Sequence, residues 1–199
     1  MADIKIEDIK KLKELSGAGL TDAKAALVEA KGDFDKALEA MRKKGLTKAE
    51  KRGDRETREG LIDAYVHGGR IGAIVEVNCE TSFVAKTDEF KDLAHKLAMQ
   101  VASMNPMYVS EADIPAAAIE KVRKEAEEEL KGDKKPEDVK QKIIEGKVKK
   151  AFEDKVLLNQ PYILDDSKTV EIFIKDAIAK TGENIAVKQF KRIELGVTE

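Results

Sequence analysis

The segment NCETSFVAK, residues 78–86, contains the only cysteine of the chain, Cys79, together with Ser82. A thiol or hydroxyl acts as a nucleophile when a histidine and an acid activate it. No histidine lies beside either residue in the sequence, and His67 sits next to glycines in a segment typical of a turn. A spatially adjacent base stays open at this stage, but the pattern favours Cys79 as a small packed residue at a strand end.

The sequence contains none of the longer signatures of nucleotide, metal or redox chemistry. Neither GxxxxGK[ST] nor GxGxxG occurs, and the glycine clusters GAG and HGGRIG read as a helical turn and a hairpin. One cysteine and two histidines, without CxxC or HExxH, do not provide a zinc site. We therefore expect no cofactor, no metal and no bond chemistry, but a protein that acts by binding.

Charge is nearly balanced over the 199 residues, with 37 basic and 39 acidic side chains. A protein that depends on phosphate contacts would carry a clear basic excess, so direct nucleic-acid binding is not expected. The exception is the stretch 42–58, RKKGLTKAEKRGDRETR, where basic residues outnumber acidic ones. This pattern favours a solvated linker with ion pairs, and an RNA- or ribosome-binding segment is the alternative.

The composition is typical of a folded, helix-rich protein, with 42% hydrophobic and 38% charged residues. No apolar run approaches the roughly 18 residues that cross a bilayer. The N-terminal segment alternates charged with apolar residues, unlike a signal peptide. We expect a cytoplasmic protein without a membrane contact.

Residues 1–45 predict a module of three short helices, because apolar residues recur at helical spacing in three runs. Helices this short are marginal alone, so they must pack together. Thr21 or Asp22 is expected to cap the second helix, and Gly45 to follow the end of the third.

Residues 46–59 are polar and charged, and they predict a helical or flexible linker. From Gly60 apolar residues alternate with polar ones, which predicts two strands joined by a glycine turn at residues 67–70. The second strand, IGAIVEV, is apolar enough to lie at the centre of a sheet. A helix that ends at Asn105 follows.

The C-terminal part returns to helices and closes with a strand. Residues 110–160 predict a charged helical hairpin. The acidic segment 165–167, DDS, is expected to cap a helix that Gly182 ends, and ENIAVKQFKRIEL predicts a strand. Residues 60–199 therefore predict an α+β core, an antiparallel sheet packed with helices, in a mainly α protein.

Two large apolar residues lie at predicted turns. Leu20 stands at the mouth of the second helix, and Phe83 stands in the strand-to-helix connection. The pattern alone favours the protein's own core for both side chains. Exposure for contact with a partner is the alternative.

Several segments together resemble the bacterial elongation factor Ts family. KELSGAGLTDAKAALVEAKGDFDKALEAMRKKG is similar to the family's opening module, and HGGRIGAIVEVNCETSFVAK to its hairpin and TDFV signature. LNQPYILDDSKTV and GENIAVKQFKRIELG are similar to its C-terminal segments. The resemblance covers nearly the whole chain in order, at a length typical of the short form of the family.

The resemblance implies a guanine-nucleotide exchange factor for elongation factor Tu, the GTPase that delivers aminoacyl-tRNA to the ribosome. It implies a ubiquitin-associated-like helical module, a linker and an α+β core. Short members are also seen as dimers through the core, so a homodimer and a 2:2 complex are expected. A helical adaptor built on residues 1–45, or RNA binding by residues 42–58, stays open as the alternative.

The family's TDFV signature matches Thr81, Ser82, Phe83 and Val84. In the family, the phenylalanine enters between helices of elongation factor Tu near the magnesium ion, a role that falls here to Phe83. Serine replaces the family's aspartate, losing the charge but keeping hydrogen bonding, so we expect Ser82 to hold the turn. The matching positions of the N-terminal module are Lys13, Leu20, Thr21 and Lys24.

Overall fold

The computed structural model describes residues 4–16, 18–131, 133 and 135–197, the side chains of residues 47 and 48 excepted. Within these ranges the chain forms eight α-helices and five β-strands. The helices are α1 (Ile6–Ser16), α2 (Leu20–Glu29), α3 (Phe34–Glu50), α4 (Ser82–Ala85), α5 (Asp88–Met104), α6 (Ala116–Glu129), α7 (Glu137–Glu153) and α8 (Val170–Thr181). The strands are β1 (Glu59–His67), β2 (Ile71–Cys79), β3 (Pro161–Tyr162), β4 (Asp165–Thr169) and β5 (Ile185–Glu194). No helix in these ranges combines the length and apolar character that crossing a membrane requires.

Helices α1, α2 and α3 pack around a small apolar core, as the sequence predicts. Its buried side chains are Leu12, Ala23, Leu27, Ala37 and Met41. Asp33 caps α3, because its Oδ1 accepts a hydrogen bond from the Lys36 N–H at 3.1 Å. The expected cap of α2 is wrong: its N-cap is Gly19, so Thr21 and Asp22 lie within the first turn.

Helix α3 continues through Gly45 to Glu50, so its expected end at Gly45 is wrong. The physical reason is packing against α8. A Cβ on Gly45 would lie 3.2 Å from the Ala179 Cβ, and Ala49 is buried in the main core. This tertiary contact outweighs the weak helix propensity of glycine, and the first part of the predicted linker is therefore helix that lies against the core.

Strands β1, β2 and β5 form one antiparallel sheet with β2 in the centre, as predicted for IGAIVEV. The glycine turn also lies where expected, since the Arg70 N–H donates to the His67 carbonyl at 3.0 Å. Gly68 and Gly69 take positive φ angles of 56° and 69°. Two such residues form a turn whose twist matches that of the flanking strands.

The two faces of this sheet differ in burial. Helices α5 and α8 contribute to the main core together with the inner face. On the outer face four large apolar residues are exposed: Ile62 by 66%, Val66 by 66%, Ile74 by 45% and Ile193 by 75%. Alternation along each strand thus gives one buried and one open apolar surface.

Helices α6 and α7 form the predicted helical hairpin. Its buried contacts come from Ala126, Leu130 and Ile144. The expected helix cap at residues 165–167 is wrong, because this segment pairs with β3 as strand β4. The cap of α8 falls instead to Thr169, whose Oγ1 accepts the Ile172 N–H at 3.3 Å. Gly182, with φ 79°, ends α8 as expected.

Candidate functional site

The connection between β2 and α5 contains the one-turn helix α4, Ser82–Ala85. Thr81 is its N-cap, and the Thr81 Oγ1 accepts the Val84 N–H at 3.5 Å. Thr87 caps α5 in the same way by accepting the Phe90 N–H at 3.2 Å. Two caps so close together give the connection a defined path.

Glu183, which follows α8, holds Thr81 with both carboxylate oxygens. The Thr81 N–H donates to Oε2 at 3.0 Å, and the Thr81 hydroxyl donates to Oε1 at 2.6 Å. Hydrogen bonds to an ionised acceptor are stronger than neutral ones. The adjacent pair has its donor on the other segment, since the Asn184 N–H donates to Glu80 Oε1 at 2.6 Å. These hydrogen bonds therefore hold the segment before β5 against the segment after β2.

Sequence reasoning missed Glu80, Glu183 and Asn184. Asn184 is buried, and its side-chain amide donates to the carbonyls of Gly53 at 3.1 Å and Arg55 at 2.7 Å. It thereby fixes the end of the predicted linker against the sheet. A signal was available, because antiparallel pairing of β2 with β5 brings the GEN segment before β5 next to the ETS segment after β2.

Phe83 is 83% exposed, although its neighbours in α4 face inward. Val84 packs partly buried against the main core, and Ala85 is buried. A single helical turn can bury only one side, and these two residues occupy it. The core position that the pattern alone favoured for Phe83 is therefore wrong. A large exposed aromatic side chain on a defined turn is typical of a binding surface.

Ser82 does not hold the turn as expected. It already lies inside α4, so the cap comes from Thr81, one residue earlier. The Ser82 side chain is half-buried and makes no hydrogen bond with the part of the chain that the structure describes. Negative charge at this turn comes instead from Glu80 and Glu183.

Cys79 is fully buried, and its Sγ donates to the Thr81 carbonyl at 3.2 Å. Burial, followed by the charge of Glu183, raises the pKa of this thiol above its ordinary value. A protonated, packed thiol is a poor nucleophile. The prediction that Cys79 is a packed residue at a strand end is confirmed.

The side chains of both histidines contact residues other than Cys79 and Ser82. His95 Nδ1 lies 3.1 Å from Asp63 Oδ2, and His67 Nδ1 lies 3.0 Å from the Tyr65 hydroxyl. His67 ends β1 beside the glycine turn, as the sequence predicts. Neither contact involves Cys79 or Ser82, so the geometry builds no nucleophile–base pair from these residues.

The N-terminal candidate residues lie around the turn between α1 and α2. Lys13 belongs to the last turn of α1, and Leu20 is the first residue of α2. Leu20 is 53% exposed, so the core position that periodicity favoured is wrong. Thr21 and Lys24 are exposed in the first two turns of α2. The structure therefore brings these four residues to the surface at one end of the helical module.

A cavity of about 630 Å³ lies beside the turn that carries Phe83. It is lined by Glu14 of α1, by Val84 of the turn, and by Phe173 and Lys180 of α8, among others. Helix α1 and the turn therefore border one concave surface, but neither Phe83 nor any of the four N-terminal candidate residues lines it.

Several basic side chains of the stretch 42–58 form ion pairs. The pairs are Lys44 with Asp22 at 3.4 Å, Arg55 with Glu80 at 3.4 Å and Arg58 with Glu56 at 2.8 Å. Such pairing is what the linker interpretation expects.

Comparisons with known proteins identify the family of this chain. The model of the family described as Elongation factor TS matches residues 5–197. Elongation factor Ts of Thermotoga maritima is 53% identical over 195 residues, covering 98% of this chain and 97% of its own. The protein of the same name from Fervidobacterium nodosum is 50% identical over 195 residues, covering 98% of this chain and 99% of its own. The one from Moorella thermoacetica is 49% identical over 190 residues, covering 95% of this chain and 94% of its own. The chain therefore belongs to the elongation factor Ts family of translation elongation factors.

Proposed function

We propose that this protein is a guanine-nucleotide exchange factor for elongation factor Tu. It binds the GTPase in the GDP-bound and nucleotide-free states and performs no bond chemistry of its own. The observation that carries the proposal is Phe83, which is 83% exposed on the capped one-turn helix α4 that precedes α5. Membership of the elongation factor Ts family supports the choice of partner.

In this mechanism, Phe83 enters between helices of the GTPase and disturbs its magnesium and phosphate site. Thr81, Ser82 and Val84 flank the ring and complete the contact. The factor binds most tightly when the nucleotide is absent, and linkage makes this effect reciprocal, so a rebinding nucleotide expels the factor. Release of GDP is promoted by differential binding alone.

One side chain is too small to account for efficient exchange. Accelerating release by about 10⁴ requires roughly 5.5 kcal/mol of differential stabilisation. Burial of a phenylalanine supplies roughly 1.5–3 kcal/mol. Further contacts must contribute the remainder, and the helical module is the second contact region.

We assign that second contact to an exposed group at one end of the module. Its members are Lys13, Leu20, Thr21 and Lys24. Residues 1–45 are proposed as a ubiquitin-associated-like module, residues 46–59 as the linker and residues 60–199 as the α+β core of the dimerisation type. The exposure of Leu20, and a cavity that α1 and the Phe83 turn both border, support joint contact with one partner.

The open face of the sheet supports a homodimer and thus a 2:2 complex. Ile62, Val66, Ile74 and Ile193 expose apolar surface on neighbouring strands. Monomeric proteins rarely leave such contiguous patches uncovered. Sedimentation of the wild type and of Ile193→Asp tests this: a dimer that the charge dissociates is expected, and a wild type that sediments as a monomer refutes it.

The exchange function is tested by release of a fluorescent GDP analogue from elongation factor Tu. We expect substoichiometric amounts of the protein to accelerate release, and added GDP to dissolve the complex with the nucleotide-free GTPase. Unchanged release overturns the proposal. Steeply salt-dependent RNA binding would favour the alternative role of residues 42–58. The proposal assigns the protein to the cytoplasm, without a membrane or direct nucleic-acid contact.

A further inference from the structure

The Thr81 hydroxyl takes part in two hydrogen bonds at once. It donates to Glu183 Oε1 at 2.6 Å, and the same oxygen accepts the Val84 N–H at 3.5 Å. A hydroxyl has one proton and two lone pairs. Because the Glu183 carboxylate accepts a hydrogen bond from the only proton of the hydroxyl, a lone pair of Thr81 Oγ1 is directed at the Val84 N–H in α4. The Thr81 N–H is held by the other carboxylate oxygen at 3.0 Å, so both donors of this residue point at Glu183.

The helix that carries Phe83 depends on this cap. Helix α4 has four residues, far fewer than a helix needs to be stable alone. Phe83 is mostly exposed and contributes little packing of its own. Its position is therefore determined by the Thr81 cap and by the inward side chains of Val84 and Ala85.

Glu183 is itself held in place by its neighbours. It follows Gly182, whose φ of 79° ends α8. The Glu183 N–H donates to the Thr181 Oγ1 at 3.3 Å, and the Thr181 hydroxyl donates in turn to the Ala177 carbonyl at 2.9 Å. Asn184, on the other side, is buried. The carboxylate is thus presented from a fixed backbone.

We propose that Glu183 is a positioning residue for Phe83. Its carboxylate orients the Thr81 hydroxyl so that α4 stays capped and the ring is presented at a constant place and angle. Glu183 acts through Thr81 and is assigned no contact with the partner. The consequence for nucleotide exchange rests on the proposed function, whereas the effect on the turn does not.

The effect on the turn is tested by limited chymotrypsin digestion of the full-length protein. Cleavage after Phe83 requires local opening of the turn, whereas cleavage after the buried Phe90 reports wider unfolding of α5. In Glu183→Ala we expect cleavage after Phe83 to accelerate on the order of ten-fold relative to cleavage after Phe90, since two charge-assisted hydrogen bonds are lost. The control Glu153→Ala, at an exposed position of α7, should leave the ratio unchanged.

Two results would overturn the positioning role. One is an unchanged cleavage ratio in Glu183→Ala, including equal acceleration at Phe83 and Phe90. The other concerns Glu183→Gln, which keeps the shape of the side chain but turns an amide N–H toward one of the Thr81 donors. We expect this variant to raise the ratio as well, and a wild-type ratio would show that the side chain acts by shape alone.

The consequence for exchange is tested by a double-mutant cycle with Phe83→Ala. If Glu183 acts by placing the ring, Glu183→Ala slows GDP release in the wild-type background and has no further effect once the ring is gone. Equal slowing in both backgrounds contradicts the proposal. If the wild type itself fails to accelerate release, the proposed function is wrong, and the digestion still decides whether Glu183 positions the turn.

Discussion

Replacing Phe83 by alanine removes the aromatic ring while leaving the backbone of the turn in place. Full burial of a phenylalanine stabilises a complex by roughly 1.5–3 kcal/mol. Because 83% of the Phe83 surface is free for a partner to cover, its share is roughly 1.2–2.5 kcal/mol. At about 1.36 kcal/mol per factor of ten, Phe83→Ala should slow catalysed GDP release roughly 8- to 70-fold.

The assay is stopped-flow release of a fluorescent GDP analogue from elongation factor Tu, with the factor below saturation. Urea unfolding of the isolated variant accompanies it. Because the ring is exposed, the free energy of unfolding should change by no more than about 0.5 kcal/mol. Leu164→Ala is a matched control. Leu164 is also a large exposed apolar residue, and it lies in a different turn, between β3 and β4. This control should release GDP like the wild type.

Three results would refute the reasoning. A folded Phe83→Ala protein that releases GDP as fast as the wild type would exclude the ring from exchange. Equal slowing by Leu164→Ala would show that any loss of exposed apolar surface slows GDP release. The turn that carries Phe83 would then have no special role. A large loss of stability in Phe83→Ala would contradict the exposed position on which the magnitude depends.

Three further predictions concern the scaffold. Gly60→Ala should lower the free energy of unfolding by roughly 3 kcal/mol in urea titrations, because Gly60 has φ +155° and a Cβ would lie 2.2 Å from the Val77 carbonyl oxygen. Gln100→Leu should cost roughly 2–4 kcal/mol in the same assay, since the buried amide of Gln100 donates to Gln160 Oε1 at 3.2 Å and its loss leaves buried polar groups unpaired. Burial raises the pKa of Cys79 from its ordinary value of 9.0, so the folded state keeps a proton that the unfolded thiol loses. The stability that Cys79 contributes should be complete below about pH 9 and fall at higher pH, and urea midpoints from pH 7 to 10 should decline more for the wild type than for Cys79→Ala.

Elements whose side chains face a core were predictable from the sequence. Helix α5 and strand β2 carry apolar residues at periods of about 3.6 and 2, and both elements form where predicted. The glycine turn at residues 67–70 was equally clear, because positive φ at two successive positions selects glycine. In these cases the local preference and the tertiary structure agree.

Predictions failed where a distant segment decided the outcome. Gly45 resembles a helix end, but contact with Ala179 of α8 extends the helix beyond it. The DDS segment at 165–167 resembles a helix cap, but pairing with β3 makes it a strand. No local pattern contains this information. For Phe83 the reason is local instead: Val84 and Ala85, the next two residues, already occupy the buried side of the single turn.

The continuation of α3 onto α8 changes how the two contact regions can act together. Ala49 is buried in the main core, the Arg52 guanidinium donates to the Ile178 carbonyl at 3.4 Å, and Lys175 pairs with Glu50 at 3.4 Å. A flexible tether would have to be ordered when the second region binds, and this ordering costs binding free energy. A helix already packed on the core removes most of that cost, so under the proposed mechanism contacts around Leu20 would add to those of Phe83 with little entropic loss. In the proposed exchange factor, the ring of Phe83 would supply roughly 1.2–2.5 kcal/mol of the roughly 5.5 kcal/mol that exchange needs. The remainder would come from a surface whose geometry is set before the partner binds.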